Sequence, residues 1–308
     1  MRISMNQFEG AWSAMSTPLT TDGRVDANAV EKLVEHQIKL GLKGLFLGGT
    51  AGEGPFLPDA ERLRLIRLTV RFAANRLPIA FQITDNSAER MIENLNRYQD
   101  LGIDIAVIAP PFFQCDASQE FFFDLYSKVI EACQIPVGIY NRGKYSSEYV
   151  EPETLGRILD NPKVVLVKDS ASQEDFKAAI LAAKTRRNGA LAALCGDEFN
   201  CVPYLRDGYN GVLFGGGCFN GAYAVEIHRL VRAGKVEEAQ KLQEHLDEVL
   251  FKVFGGKSLE CWLAGQKELM VRLGVFNTAR TLLNYKITDS CSRNIDEVLR
   301  DEKKWLFR

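Results

Sequence analysis

A chain of 308 residues, 46% hydrophobic and 25% charged, carries enough apolar surface to offset chain entropy and form a folded enzyme, which excludes wholesale disorder. Its formal net charge of −2, with both signs mixed along the chain, supplies no basic face for nucleic acid or anionic lipid. The opening stretch MRISMNQFEGAW lacks the apolar run of a signal peptide, and Ile105 to Pro111 is too short to span a bilayer, so a cytoplasmic enzyme is expected.

Short apolar runs alternate with helical patterns along most of the chain. Ala11–Met15 reads as the first strand. Asp26 then suits an N-cap, with Val30, Leu33, Val34 and Ile38 at helical spacing and Gly41 to end the segment. Gly44–Leu47 is the next strand, and Pro58 opens a helix with Leu63, Ile66 and Val70 on one face. Pro78–Ile83 follows, then a helix after Ser87 that carries Met91, Leu95 and Tyr98 and stops at Gly102. Asp104–Ile108 and Pro136–Tyr140 are strands, Pro152 and Glu153 open a helix through Leu155 and Leu159, and Val164–Lys168, Ala190–Cys195 and Gly211–Phe214 complete the strand set.

Several of these runs are almost wholly apolar, as parallel strands buried on both faces require. Repeated strand–helix units predict an α/β fold, a closed (β/α)8 TIM barrel over residues 1–222. An open dinucleotide-binding sheet is the rival, but no GxGxxG follows the first strand. From Tyr223 onward strand signals stop. Segments 236–254 and 259–273 read as helices, so residues 223–308 are expected to form a C-terminal helical extension packed on the barrel.

The seven cysteines (115, 133, 195, 201, 218, 261 and 291) are odd in number and lack CxxC spacing, which suits free core thiols. The three histidines form no HxH or HExxH string, so neither a zinc site nor a histidine triad is expected.

In a barrel of this kind the chemistry sits at the C-terminal ends of the strands. Those ends carry Thr17-Pro18, Gly48 to Glu53 (GGTAGE), Tyr140-Asn141-Arg142, Lys168-Asp169, Gly196-Asp197-Glu198 and Gly215-Gly216-Gly217. Lys168 directly follows four apolar residues. An ordinary lysine amine, with a pKa of about 10.4, costs roughly 4.6 kcal/mol to hold neutral at pH 7. Desolvation lowers that cost and yields a nucleophile for a carbonyl, and the resulting iminium is an electron sink for the neighbouring C–C bond. Tyr140 ends the preceding strand and suits a proton shuttle, although a packed rim tyrosine is the ordinary alternative. Thr50 follows a glycine pair whose backbone N–H groups suit a carboxylate, or simply a tight turn. The glycine run at 215–217 suits a phosphate cradle, room for substrate, or a bend.

Together these strings resemble the dihydrodipicolinate synthase/N-acetylneuraminate lyase family along nearly the whole chain. Thr17-Pro18 is similar to the family's TPF, GGTAGE to its G-[ST]-T-G-E loop, and Tyr140 to the tyrosine ending its fifth strand. Lys168 in VVLVKDS matches the Schiff-base lysine, and Asn220 resembles an asparagine after strand eight. The resemblance implies Lys168 as iminium former, Tyr140 as proton donor and acceptor, and Thr50 linking Tyr140 to solvent and to the 2-oxo-acid carboxylate. It places Gly49, Ala51, Gly215 and Gly216 against the substrate. It also implies no cofactor, no metal, and a homotetramer built as a dimer of dimers.

Three departures bear on the second substrate. Thr50-Ala51 stands where the family often has two threonines. Phe113, in APPFF, stands where the synthases send a tyrosine into the neighbouring subunit, and a phenyl ring relays no proton. Tyr145 stands where the synthases hold the second carboxylate with arginine, a bidentate partner that tyrosine does not replace. Dihydrodipicolinate synthesis is therefore not expected unless Arg142 or Lys144 substitutes. Asp197-Glu198 resembles an acidic pair of the sialic-acid lyases that binds sugar hydroxyls, and the YNR and KD strings resemble dehydratases of deoxy-keto sugar acids. The expected activity is a Schiff-base aldolase acting on pyruvate and a hydroxylated, sugar-acid-type 2-oxo acid. The alternatives are a dehydratase using the same iminium and a non-catalytic barrel that binds a small acid.

Overall fold

In the computed structural model, residues 4–113 and 117–307 are described. The strands β1 (Gly10–Ala14), β2 (Gly44–Leu47), β3 (Ile79–Gln82), β4 (Ile105–Ile108), β5 (Val137–Asn141), β6 (Val164–Asp169), β7 (Ala192–Cys195) and β8 (Gly211–Phe214) are parallel and close into a barrel in chain order. β1 completes the ring by pairing with β8, Trp12 opposite Leu213. The fold is the expected (β/α)8 barrel.

Strand alternation decides what fills it. Trp12, Phe46, Ala80, Ile105, Val107, Leu166, Leu194 and Leu213 pack together in the lumen. Their chain neighbours, such as Ala11, Leu45, Ile79 and Ala106, join the larger apolar layer under the helices. At the base Phe8 stacks on Trp12, with ring centroids 5.5 Å apart. Gly44 is the register partner of Trp12, and a Cβ there would lie 2.4 Å from the indole, so only glycine leaves room for the ring.

Helices α1 (Ala27–Lys39), α2 (Asp59–Ala73), α3 (Ala88–Tyr98), α4 (Gln119–Ala132), α5 (Pro152–Leu159), α6 (Glu174–Arg186), α7 (Cys201–Arg206) and α8 (Gly217–Arg232) surround the strands. The expected caps hold. Asp26 accepts hydrogen bonds from the N–H groups of Asn28 and Ala29, Ser87 accepts from that of Arg90, and Pro58 immediately precedes α2. The point between residues 222 and 223 falls inside α8. Beyond it come α9 (Val236–Phe254), α10 (Trp262–Arg272), α11 (Asp289–Asp301) and α12 (Lys303–Leu306).

Six cysteines are described, all buried and free, while Cys115 lies outside the described residues. No described helix is long and apolar enough to cross a membrane.

Candidate active site

β5 and β6 run in a register that sets Tyr140 opposite Lys168 and Asn141 opposite Asp169. Only 5% of Lys168 is exposed. Its Nζ lies 4.3 Å from the centroid of the Tyr140 ring and 5.3 Å from that of Phe46. Aromatic faces thus surround the amine on two sides. Phe46 meets Tyr140 edge-on at 5.8 Å, fixing the phenol ring, and the Tyr140 hydroxyl stands 3.3 Å from Thr50 Oγ1. Burial pushes the Tyr140 phenol up, but the charges of Lys168 and Arg142 and hydrogen bonding to Thr50 and Ser170 outweigh it, leaving its pKa below the ordinary value.

Ser170 comes two residues after Lys168 and so points to the same side of β6 as the chain leaves the barrel. A Cβ on Gly196 would lie 2.0 Å from Ser170 Oγ and 3.1 Å from Lys168 Cε. Glycine at the end of β7 therefore makes the space that both side chains occupy. Asp169 faces the opposite way. Its carboxylate accepts from Asn141 Nδ2 (3.0 Å), the Ala171 N–H (3.1 Å) and the Tyr209 hydroxyl (2.8 Å). Burial raises its pKa even against those bonds. The acid of the KD string thus ties β6 to its neighbours.

The acidic pair has internal partners as well. Asp197 accepts from Ser172 Oγ at 2.8 Å and from the Phe199 N–H at 3.1 Å. Glu198 accepts from the Gly216 N–H at 3.0 Å and from Asn220 Nδ2 at 2.6 Å. Burial raises the Glu198 pKa, with those two hydrogen bonds and the Lys168 charge opposing it. The glycine run therefore presents an amide to the chain's own carboxylate, and Asn220 positions Glu198.

A cavity of about 580 Å³ brings together Lys168, Tyr140, Thr50, Ala51, Arg142 and Tyr145 with Asp197, Glu198 and Gly215. Gly49 and Gly216 are not among its described lining residues. Gly49 lies against Phe46, where a Cβ would come within 2.7 Å of the ring. Phe113 is also outside it, 72% exposed, with its N–H on Asn86 Oδ1 at 3.0 Å.

Part of the lining was not expected from the chain pattern. Ser170 and Ser172 follow Lys168 at two-residue intervals, so alternation along VKDSAS was a signal for them. Phe254, Leu259, Trp262 and Tyr285 come from the C-terminal extension, and no local pattern marks them as facing the site. Among the described residues no group of three His, Cys, Asp or Glu side chains is placed to hold a metal ion.

Residues 7–284 match the model of the dihydrodipicolinate synthetase family. The 4-hydroxy-tetrahydrodipicolinate synthase of Anaeromyxobacter dehalogenans is 32% identical over 209 residues, 68% of this chain and 70% of that one. The enzyme of the same name from Exiguobacterium sibiricum is 26% identical over 250 residues, 80% of this chain and 83% of its own. A solved structure of dihydrodipicolinate synthase from Acinetobacter baumannii, complexed with pyruvate, superposes with a TM-score of 0.84 at 26% identity, covering 96% of this chain and 98% of that one.

Proposed function

The chain belongs to the dihydrodipicolinate synthetase family, a family of aldolase-type lyases, and from that premise we propose that it cleaves or forms a hydroxylated 2-oxo acid through an iminium on Lys168. The observation that carries the reading is the meeting of the Lys168 amine, the Tyr140 hydroxyl and Thr50 in one cavity at adjoining strand ends. The Lys168 amine attacks the C2 carbonyl and water leaves, giving the iminium. In cleavage Tyr140 takes the proton of the C4 hydroxyl while the C3–C4 electron pair moves toward the iminium nitrogen. An aldehyde departs. The enamine left behind takes a proton at C3 and hydrolyses to pyruvate, which frees the lysine.

Thr50, beside the Tyr140 hydroxyl, passes the proton onward. The charges of Lys168 and Arg142 favour the phenolate form that accepts it. Neither a metal nor a cofactor is needed for these steps. Arg142 and Tyr145 flank the second substrate, and Asp197, Glu198 and the serine hydroxyls suit a hydroxylated chain of the sugar-acid type. With Tyr145 and Phe113 in place of arginine and tyrosine, dihydrodipicolinate synthesis is not the reaction proposed. The working form is a cytoplasmic homotetramer built as a dimer of dimers, with the exposed Phe113 at the subunit contact.

Product analysis with a panel of 4-hydroxy-2-oxo sugar acids tests the reading. Release of pyruvate with an aldehyde supports it. Loss of water with the carbon skeleton intact assigns the iminium to a dehydratase. No turnover across the panel, despite ligand binding, would favour the non-catalytic barrel.

A further inference from the structure

Helix α10 reaches back into the catalytic end of the barrel through two adjacent side chains, Gln266 and Lys267, both 0% exposed. Lys267 Nζ forms an ion pair with Glu53, and both side chains are fully buried. The same ammonium donates to the Arg280 carbonyl at 2.8 Å, and the second Glu53 oxygen accepts the N–H of Leu282. Glu53 closes the GGTAGE loop with φ 55°, a left-handed conformation that a side chain other than glycine holds only when its surroundings enforce it. Gln266 meanwhile donates to Ser16 Oγ and to the Gly215 carbonyl, the latter at 3.1 Å.

One helix therefore fixes both the loop that carries Thr50 and the turn whose Gly216 amide holds Glu198. Trp262, the first residue of α10, and Tyr285, three residues beyond Leu282, line the cavity from the same assembly.

A buried ion pair is a poor source of net stability, because desolvation of the two charges cancels most of their attraction. What the pair supplies is direction: each charge has a backbone partner as well as its counter-ion, so the loop has one satisfied arrangement. We propose that Glu53 and Lys267 are positioning residues that hold Thr50 against Tyr140, making the C-terminal extension part of the proton-transfer apparatus. The proposal rests on the assignment of proton transfer to Tyr140 made above.

The double variant Glu53→Gln/Lys267→Met removes both charges at similar volume and leaves no unpaired ion. It is expected to melt within a few degrees of the unaltered protein and to give the same yield of borohydride-trapped pyruvate on Lys168. Its kcat falls about tenfold to a hundredfold, the loss typical of a misplaced catalytic group, while KM changes by less than about threefold. Lys267→Met alone leaves a buried unpaired carboxylate and loses both stability and turnover.

A double variant that turns over within about twofold of the unaltered protein overturns the proposal. So does one in which trapping, turnover and melting temperature fall together, since the pair is then only a scaffold. Absence of an adduct in the unaltered protein removes the iminium reading itself, and this proposal with it.

Discussion

At the base of the barrel lumen Phe8, Trp12 and Leu213 are apolar and shut away from solvent, whereas at its mouth Lys168, Asp169 and the Glu53–Lys267 pair are also buried but ionisable. Both ends are buried, so the difference is one of chemistry rather than of exposure. At the base the apolar side chains need no counter-charge, and the Trp12 indole N–H donates to the Gln7 carbonyl at 3.0 Å. At the mouth Asp169 and the Glu53–Lys267 pair are matched by hydrogen bonds or a counter-ion, since an unmatched charge costs several kcal/mol, while the Lys168 amine is faced by the Tyr140 and Phe46 rings. Such matching is maintained where the groups do something, and the base and mouth should therefore fail in different ways when altered.

The largest expected effect is at the mouth. Lys168→Ala removes the nucleophile and should lower turnover by more than about a thousandfold with no loss of thermal stability, read by steady-state kinetics and thermal unfolding. Next comes Tyr140→Phe, expected to cost about 10²–10⁴ in kcat while pyruvate is still trapped on Lys168. Equal loss of trapping and turnover would move Tyr140 from proton transfer to carbonyl binding.

The base supplies the contrast. Trp12→Ala opens a cavity between Phe8 and Gly44 and should cost about 3–5 kcal/mol of unfolding free energy in denaturant titration. Trapping per folded molecule should remain unchanged. A loss of trapping without a loss of stability would erase the distinction between the two ends.

A smaller effect separates charge from shape. Arg142→Gln removes one of the two positive charges that lower the Tyr140 pKa. The phenol then deprotonates at higher pH, so the limb of the pH–rate profile that follows Tyr140 should move upward. A limb that stays in place would detach it from Tyr140. Smallest of all, Phe113→Tyr adds a hydroxyl to a ring that is exposed on the single subunit, so the unfolding free energy of the dissociated subunit should change by less than about 0.5 kcal/mol in denaturant titration.

The same two regions explain what the chain pattern revealed. The strands are short, nearly continuous apolar runs buried on both faces, and helix starts follow local chemistry at Asp26, Pro58 and Ser87, so a window of a few residues contains the information. Strand ends shift by one or two residues. Extending β6 through Asp169 puts that side chain in the ladder as a tie between β6, Asn141 and Tyr209.

In helix α4 the buried stripe Phe122, Leu125, Tyr126, Val129 and Ile130 falls at helical spacing, with Phe121 and Phe123 widening the apolar face beside it. The mouth is legible only in part. Lys168, Tyr140 and Thr50 are marked by their positions at strand ends. Glu53 and Lys267 are 214 residues apart, and Gln266 and Ser16 are 250 apart, so nothing local to either sequence segment signals their contact. Trp262 and Tyr285 are hidden for the same reason.

Borohydride reduction in the presence of pyruvate, followed by peptide mass analysis, reads the Lys168 iminium itself. One reduced pyruvate adduct is expected, on the peptide carrying Lys168, and none in Lys168→Ala. An adduct on another lysine, or no adduct with pyruvate and other 2-oxo acids, would contradict the Lys168 iminium.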